Sequence, residues 1–299
     1  AKKYTDNLTT LKNILHRDLP EQVIPSGASL DQAIDVFDRV NSQGTKLTEA
    51  ELALTHVTGH WPEARRVVKA KIDDLQAVKF GFDLTFMTRA LVCAVTNHAM
   101  YEQIHNVPRT DLVNGWEKLS RILDNIINIL PYAYIHSSTD LSSPNPLIPI
   151  IQFLSLSRNN GKFPTDESRR RAIHWFYIAQ MQQRYSGQTD QRLEQDLTII
   201  LREESPWKSL LDQILDQRGR INVDPNDFEG RGTRHPLYKI SFILAKAHSA
   251  IDWFNGIPLA TTQGNNYRIH SHHIFPQSKL YENGFSPENH LHYQIVNGI

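Results

Sequence analysis

Three histidines lie close together near the end of the chain, at His270, His272 and His273. They belong to the segment from 267 to 277, whose apolar, β-prone residues and Pro276 favour a strand that ends abruptly. Because successive strand side chains point to opposite faces, His272 and His273 cannot both serve one face of an ideal strand. One of them can therefore bind a metal while its neighbour, at the strand end, activates a water molecule.

On spacing alone, three interpretations of these histidines stay open. In the first, His272 binds a divalent cation and His273 is the general base, because a histidine pKa of about 6.5 lies close to the working pH. In the second, a structural zinc site uses four histidines, although such sites usually include cysteines. Its ligands would be His270, His272, His290 and His292. In the third, the histidines form the polar surface of a small β unit and carry no chemistry.

The composition of the chain gives no global electrostatic argument for nucleic-acid binding. Its 299 residues include 32 Lys and Arg against 32 Asp and Glu, so any DNA contact must come from a local patch. The single cysteine, Cys93, lies in an apolar run and is expected to be a buried, inert thiol. One cysteine cannot form an intrachain disulfide, and the sequence shows neither a signal-peptide pattern nor a membrane-spanning run. We therefore expect a cytoplasmic protein without a membrane partner.

The elements that must position these residues are predicted to be helices. From Trp61 to about Ser249 the apolar residues repeat at helical spacing, which predicts a mainly α protein built as a multi-helix bundle. The apolar segment Leu147–Leu156 suits the middle of that bundle. Beyond Asp252–Gly256 the pattern changes toward strand and loop, so we place a domain boundary near that point. Helix starts are predicted at Asp83, Thr110, Thr165, Ser205–Pro206 and Pro236.

Near the start of the chain, two capped helices are predicted on either side of a polar loop. Ser29 with Gln32 and Thr48 with Glu51 have the spacing of capping boxes, and the loop Asn41–Gly44 separates them. This loop either contacts a phosphate at the new helix N-terminus or is only a hairpin turn with glycine in the left-handed conformation.

A second polar segment, from 218 to 234, carries four arginines among glycines. This composition predicts a mobile, locally positive loop that rests on phosphates, with a solvated connection as the alternative. Arg231 and Arg234 are the candidate DNA-binding residues in it. A separate triplet, Arg169–Arg171, is predicted to be ordinary solvated surface, because consecutive side chains on a helix point in different directions.

The segment His272–Gln277 resembles the first strand motif of HNH endonucleases, in which a metal ligand precedes the general-base histidine. More specifically, the sequence resembles the GmrSD-like defence and restriction nucleases. These join a ParB/sulfiredoxin-like nucleotide-dependent domain to a C-terminal HNH domain through a helical region. Two separated stretches carry the resemblance: Val36–Thr48, and Asp252–Gly256 together with His272–Gln277.

The resemblance implies a metal-dependent DNA endonuclease of a bacterial anti-phage system, directed at modified phage DNA. It makes His272 the metal ligand and His273 the general base of a ββα-metal (HNH) unit. The implied metal is Mg²⁺ or Mn²⁺, with Zn²⁺ as an alternative. A nucleoside triphosphate is the implied regulator, and Asn41 is its candidate contact. The pattern is also compatible with an oligomer.

The same resemblance predicts three segments: the end of a ParB-like domain in residues 1–60, a helical domain in 61–255 and the start of the HNH domain in 256–299. We expect the middle asparagine and the last metal ligand of the HNH site to lie beyond Ile299. No motif resembling Asp-Gly-Gln-Gln-Arg occurs in residues 1–50. These 299 residues alone are therefore expected not to cut DNA. The alternative is a helical nucleic-acid or protein interaction module with an inactive or regulatory HNH remnant.

Overall fold

The computed structural model describes residues 2–18, 21, 23–42, 47–157, 159–228, 231–232, 234–253, 255–259 and 276–285. Within these ranges the chain forms twelve α-helices, four short 3₁₀ helices and no β-strand, which confirms the predicted mainly α class. One isolated antiparallel bridge joins Ile251 and Pro258. Of the predicted start of the ββα-metal unit, 256–299, only 256–259 and 276–285 are described, and the predicted histidine strand lies outside them except for Pro276 and Gln277.

The chain divides into two compact units, Ala1–Leu47 and Thr48–Ile299. The first contains α1 (Lys2–Ile14), which the sequence pattern does not predict, and α2 (Leu30–Ser42). The predicted capping box at the start of α2 is confirmed. Ser29 N donates to Gln32 Oε1 at 2.9 Å, and Gln32 N donates to Ser29 Oγ at 3.2 Å.

Asn41 lies in the last turn of α2, so the prediction that it opens a loop is wrong. Helix ends vary by one or two residues around a polar stretch, because propensity alone does not mark the terminal residue. The following helix, α3, belongs to the second unit. The domain boundary predicted at residue 60 stays a prediction.

The second unit contains the other ten α-helices and the four 3₁₀ helices of the described chain. The α-helices are α3 (Glu49–His60), α4 (Ala64–Ala77), α5 (Leu84–Thr96), α6 (Arg109–Ile129), α7 (Leu147–Leu156), α8 (Asp166–Met181), α9 (Thr189–Arg202), α10 (Trp207–Arg218), α11 (Pro236–Ala247) and α12 (Gln277–Glu282). The 3₁₀ helices are η1 (Tyr101–Ile104), η2 (Leu130–Ala133), η3 (Ser138–Asp140) and η4 (Pro225–Phe228).

Two apolar helices, α5 and α7, form the centre of this unit. Helix α5 packs against α3, α4, α6 and α7, and α7 also packs against α6 and α9. Leu147, Ile148, Ile151 and Leu154 of α7 are completely buried. Burying one such side chain stabilises the fold by about 1.5–3 kcal/mol. The central position predicted for Leu147–Leu156 is therefore confirmed.

Most predicted helix starts are confirmed by their side-chain caps. Thr48 and Glu51 form a capping box, Asp83 accepts from Phe86 N at 2.7 Å, and Thr165 accepts from Ser168 N at 3.1 Å. Two predicted caps are wrong: α6 begins at Arg109 after Pro108, and α10 begins at Trp207 after Pro206. At both helices a proline, whose φ is already suited to a helix start, replaces the expected Thr110 or Ser205 cap.

A buried ion pair fastens α11 to the short helix η3. Lys246 Nζ lies 3.0 Å from Asp140 Oδ1, and the two side chains are 0% and 6% exposed. The other carboxylate oxygen of Asp140 accepts from His136 N and Ser137 N. Burial lowers the pKa of Lys246, and the charge of Asp140 opposes that shift.

Two expectations drawn from composition, on membrane-spanning helices and on Cys93, can be compared with the structure. Among the described residues, no helix combines the length and apolar character that crossing a membrane requires. Cys93 is a free, buried thiol in α5, as predicted. Burial raises the pKa of this thiol, which keeps it protonated and unreactive.

Candidate functional site

A cleft of about 210 Å³ opens on the second unit, where the loop before α7, the end of α8 and the start of α11 meet. Eight of its eleven lining residues are polar, and the others are Pro146, Ala179 and Pro236. The polar lining residues are Ser142, Ser143, Gln180, Gln183, Arg184, Tyr185, Ser186 and Arg234.

Beneath the cleft lies a buried ion pair between Arg184 and Asp196. Arg184 Nε and Nη2 donate to the two carboxylate oxygens at 3.1 and 2.8 Å, and the side chains are only 2% and 0% exposed. Tyr185 Oη donates to Asp196 Oδ2 at 2.6 Å. Burial raises the pKa of Asp196, while the bonds from Arg184 act in the opposite direction. The pair fills its own hydrogen-bonding capacity, so we assign it a structural role.

Two further arginines are attached to the backbone of the turn that follows α8. Arg192 Nη1 donates to the carbonyl oxygens of Arg184 at 3.0 Å and of Ser186 at 2.6 Å. Arg218 Nη2 donates to the carbonyl oxygen of Gln183 at 2.9 Å. The pKa of Arg192 is lowered by burial and then by the charges of Arg218 and Arg184. Arg192 and Arg218 both bind carbonyl groups of the same turn.

The backbone of this turn explains why its carbonyl groups are available to arginines. Gln183, Gly187 and Gln188 all have left-handed φ angles, of 49°, 71° and 49°. Such a conformation ends the regular hydrogen bonding of α8 and leaves carbonyl groups without helical partners. The guanidinium groups of Arg192 and Arg218 satisfy three of them.

These rim arginines differ from the Arg184 pair because they carry uncompensated charge. Among the residues that the structure describes, Arg192, Arg218 and Arg234 form no ion pair with a carboxylate. We define Arg192, Arg218 and Arg234 as the arginine rim of the cleft. A guanidinium remains charged throughout the physiological pH range, so the rim is persistently positive.

Ser142 and Ser143, which we call the serine wall, line the cleft from the loop before α7. Gln180 Oε1 accepts from Ser142 N at 3.0 Å and Ser143 N at 3.2 Å, and its Nε2 donates to Ser143 O at 2.7 Å. Ser143 Oγ accepts from Asn145 N at 3.2 Å, which leaves its own proton for another acceptor. The cleft thus combines serine hydroxyl groups with Arg234, and the carbonyl-bound Arg192 and Arg218 lie beside it.

The four arginines of the predicted polar loop have different surroundings. Arg220 forms an ion pair with Asp227, and Arg231 Nε donates to Asp227 O at 3.4 Å. Arg234 lines the cleft, while Arg218 reaches the turn after α8. The described part of this segment is therefore partly structured around Asp227. DNA binding by Arg231 and Arg234 stays a prediction.

The histidines proposed for catalysis, His272 and His273, lie outside the described residues, as do His270, His290 and His292. Within the ranges that the structure does describe, no group of three or more His, Cys, Asp or Glu side chains could hold a metal ion. The metal prediction therefore rests on the sequence motif. The nucleotide role of Asn41 also stays a prediction.

The comparisons with known proteins add no relative. No family model, no curated protein and no solved structure matches this chain. The resemblance to GmrSD-like nucleases consequently rests on the quoted motifs alone. The cleft rests on contacts within the second unit and does not depend on that resemblance.

Proposed function

We propose that this protein is a metal-dependent DNA endonuclease that acts in the cytoplasm in defence against phage. One observation carries the proposal: Val36–Thr48, Asp252–Gly256 and His272–Gln277 occur in one chain in the order typical of GmrSD-like nucleases. The arginine rim supports it, because guanidinium groups without carboxylate partners attract the phosphates of a DNA substrate.

In the proposed reaction, His273 removes a proton from the attacking water and His272 is a metal ligand. A divalent cation bound there supplies stabilisation for the negative charge that develops on the phosphate oxygens. The neutral form of a histidine is the form that can accept this proton. Regulation by a nucleoside triphosphate and preference for modified DNA belong to the same proposal.

The test is cleavage of modified and unmodified plasmid DNA by the full natural protein, with Mg²⁺ or Mn²⁺ and with or without a nucleoside triphosphate. We expect His273→Ala to abolish cleavage and Asn41→Ala to reduce the nucleotide stimulation while the fold is retained. Cleavage that persists in His273→Ala would exclude this catalytic site. Unchanged stimulation in Asn41→Ala would exclude the nucleotide contact.

A second candidate function is a helical nucleic-acid interaction module without catalysis. It is favoured by one observation: the arginine rim and the serine wall both belong to the second unit, and neither requires a metal. DNA binding without cleavage, under every metal and nucleotide condition tested, would favour this candidate over the nuclease.

A further inference from the structure

We propose that the arginine rim and the serine wall of the cleft form a site for the phosphate backbone of a DNA strand. The attraction of phosphate follows from the cleft itself. The identity of the strand as DNA rests on the proposed nuclease function.

The first argument is the number of hydrogen-bond donors that remain on the rim. A guanidinium carries five N–H donors in a planar fork that matches the oxygens of a phosphate. Arg192 uses only Nη1 for the turn, and Arg218 uses only Nη2. Both side chains are therefore held in place by the protein and still have donors left for an anion.

The second argument is the balance of charge. Arg184, the other arginine at the cleft, is neutralised by Asp196 at 2.8 Å. The half-buried acid Asp227 is engaged by Arg220. No such partner exists among the described residues for the rim arginines, so an anion in the cleft meets Arg234 without a carboxylate that binds it, and Arg192 and Arg218 add positive charge beside the cleft.

The third argument concerns the size and lining of the cleft, which suit a strand better than a free nucleotide. Its volume of about 210 Å³ is below the range of about 300–1,000 Å³ usual for small-molecule sites. Its one aromatic lining residue, Tyr185, is only 6% exposed, so it offers little surface for stacking a base.

The cations also extend past the edge of the cleft. Arg234 lines it, whereas Arg192 and Arg218 bind the carbonyl groups of the lining turn without lining the cleft themselves. A ligand with consecutive phosphates offers one phosphate to Arg234 in the cleft and others to Arg192 and Arg218 beside it. Contacts to the backbone position a strand without reading its sequence.

The experiment measures binding of a fluorescent DNA duplex by anisotropy over a series of salt concentrations, with EDTA present so that cleavage cannot interfere. The test variant is Arg218→Gln combined with Arg234→Gln. We expect affinity to fall by about tenfold or more and the slope of log K against log salt to decrease by about two, because each lost phosphate contact removes about one.

A control for position is Arg202→Gln, which removes one positive charge from the other end of α9, ten residues from Arg192. That separation is about 15 Å at 1.5 Å per residue. We expect affinity and salt slope equal to the wild type. A second variant, Arg234→Lys, keeps the charge and should keep most of the salt slope. Thermal unfolding by circular dichroism checks that every variant is folded.

Several results would overturn the proposal. The first is a double variant that binds the duplex as tightly as the wild type, and the second is a folded wild type that binds no DNA. The third is an unlabelled ATP competitor that displaces the duplex at equal concentration, which would make the cleft a nucleotide site. His273→Ala separates the two proposals, because loss of cleavage with retained binding supports both. If the double rim variant binds DNA as tightly as the wild type while His273→Ala still abolishes cleavage, only the proposed phosphate site is overturned.

Discussion

The two ends of α8 carry arginines with opposite electrostatic surroundings. At the start of the helix, Arg169 pairs with Asp166, and Arg170 and Arg171 both pair with Glu167. Past its end, Arg192 and Arg218 bind backbone carbonyl groups. The triplet is conspicuous in the sequence, but each of its arginines is engaged by Asp166 or Glu167 at exposed positions, as predicted for solvated surface. The rim, assembled from separate elements, keeps its charge, so proximity in space matters more here than a run of arginines.

The largest expected effect is a loss of stability when the completely buried carboxylate of Asp196 is removed. Asp196→Ala leaves Arg184 without its carboxylate and should lower the free energy of unfolding by about 3–5 kcal/mol. Urea denaturation measures the change. Glu167→Ala is the comparison at the other end of α8, where Arg170 and Arg171 are exposed to water, and its unfolding midpoint should hardly move.

A further double variant sharpens this first prediction. Arg184→Met with Asp196→Leu replaces both buried charges by apolar groups and should recover much of the lost stability. Equal, small losses in Asp196→Ala and Glu167→Ala would contradict the distinction between the buried and the exposed pair.

The next effect is on DNA affinity and compares the two arginine groups directly. Arg170→Gln combined with Arg171→Gln removes the same charge as the double rim variant. Because Arg170 and Arg171 are both engaged in exposed ion pairs with Glu167, we expect affinity to change by less than about twofold, within the small effects of exposed pairs. Anisotropy titrations under identical salt provide the measurement. A loss as large as that of the rim variant would show that net charge alone governs binding.

The smallest expected effect is on the pH dependence of stability, through His136 and the positive charge of Lys246. The pKa of His136 is lowered by burial and by the charge of Lys246, so the unfolded chain takes up a proton before the folded protein does. Stability should therefore decline as the pH falls below about 6.5, the unfolded value, until it reaches the lowered folded pKa. In His136→Gln the melting temperature should fall less between pH 7 and pH 5. An unchanged pH dependence would contradict this assignment.

The helices could largely be predicted from sequence because their signals are local. Apolar spacing located α7, and the side chains of Ser29, Asp83 and Thr165 identified helix starts. The errors at Thr110 and Ser205 arose where a nearby proline provided the helix start. Asn41 was misplaced because a polar residue can end a helix as well as begin a loop.

The cleft could be predicted only in part because it depends on contacts between distant segments. Arg234 was recognisable from its glycine-rich surroundings, but Arg192 stands on an ordinary amphipathic helix. Its partners are carbonyl oxygens of a left-handed turn, and carbonyl oxygens have no residue signature. Arg218 and Arg220 are similar in sequence, yet Asp227 binds only Arg220.

The left-handed turn after α8 also affects how a ligand would be bound. A long side chain that becomes fixed on binding costs about 0.5–1.5 kcal/mol in rotamer freedom. Arg192 and Arg218 are already restrained by the carbonyl groups of Gln183, Arg184 and Ser186. Much of their rotamer freedom is lost when the protein folds, before an anion arrives. The turn therefore preorganises the rim, and association with it should carry a smaller entropic penalty than binding to free surface arginines.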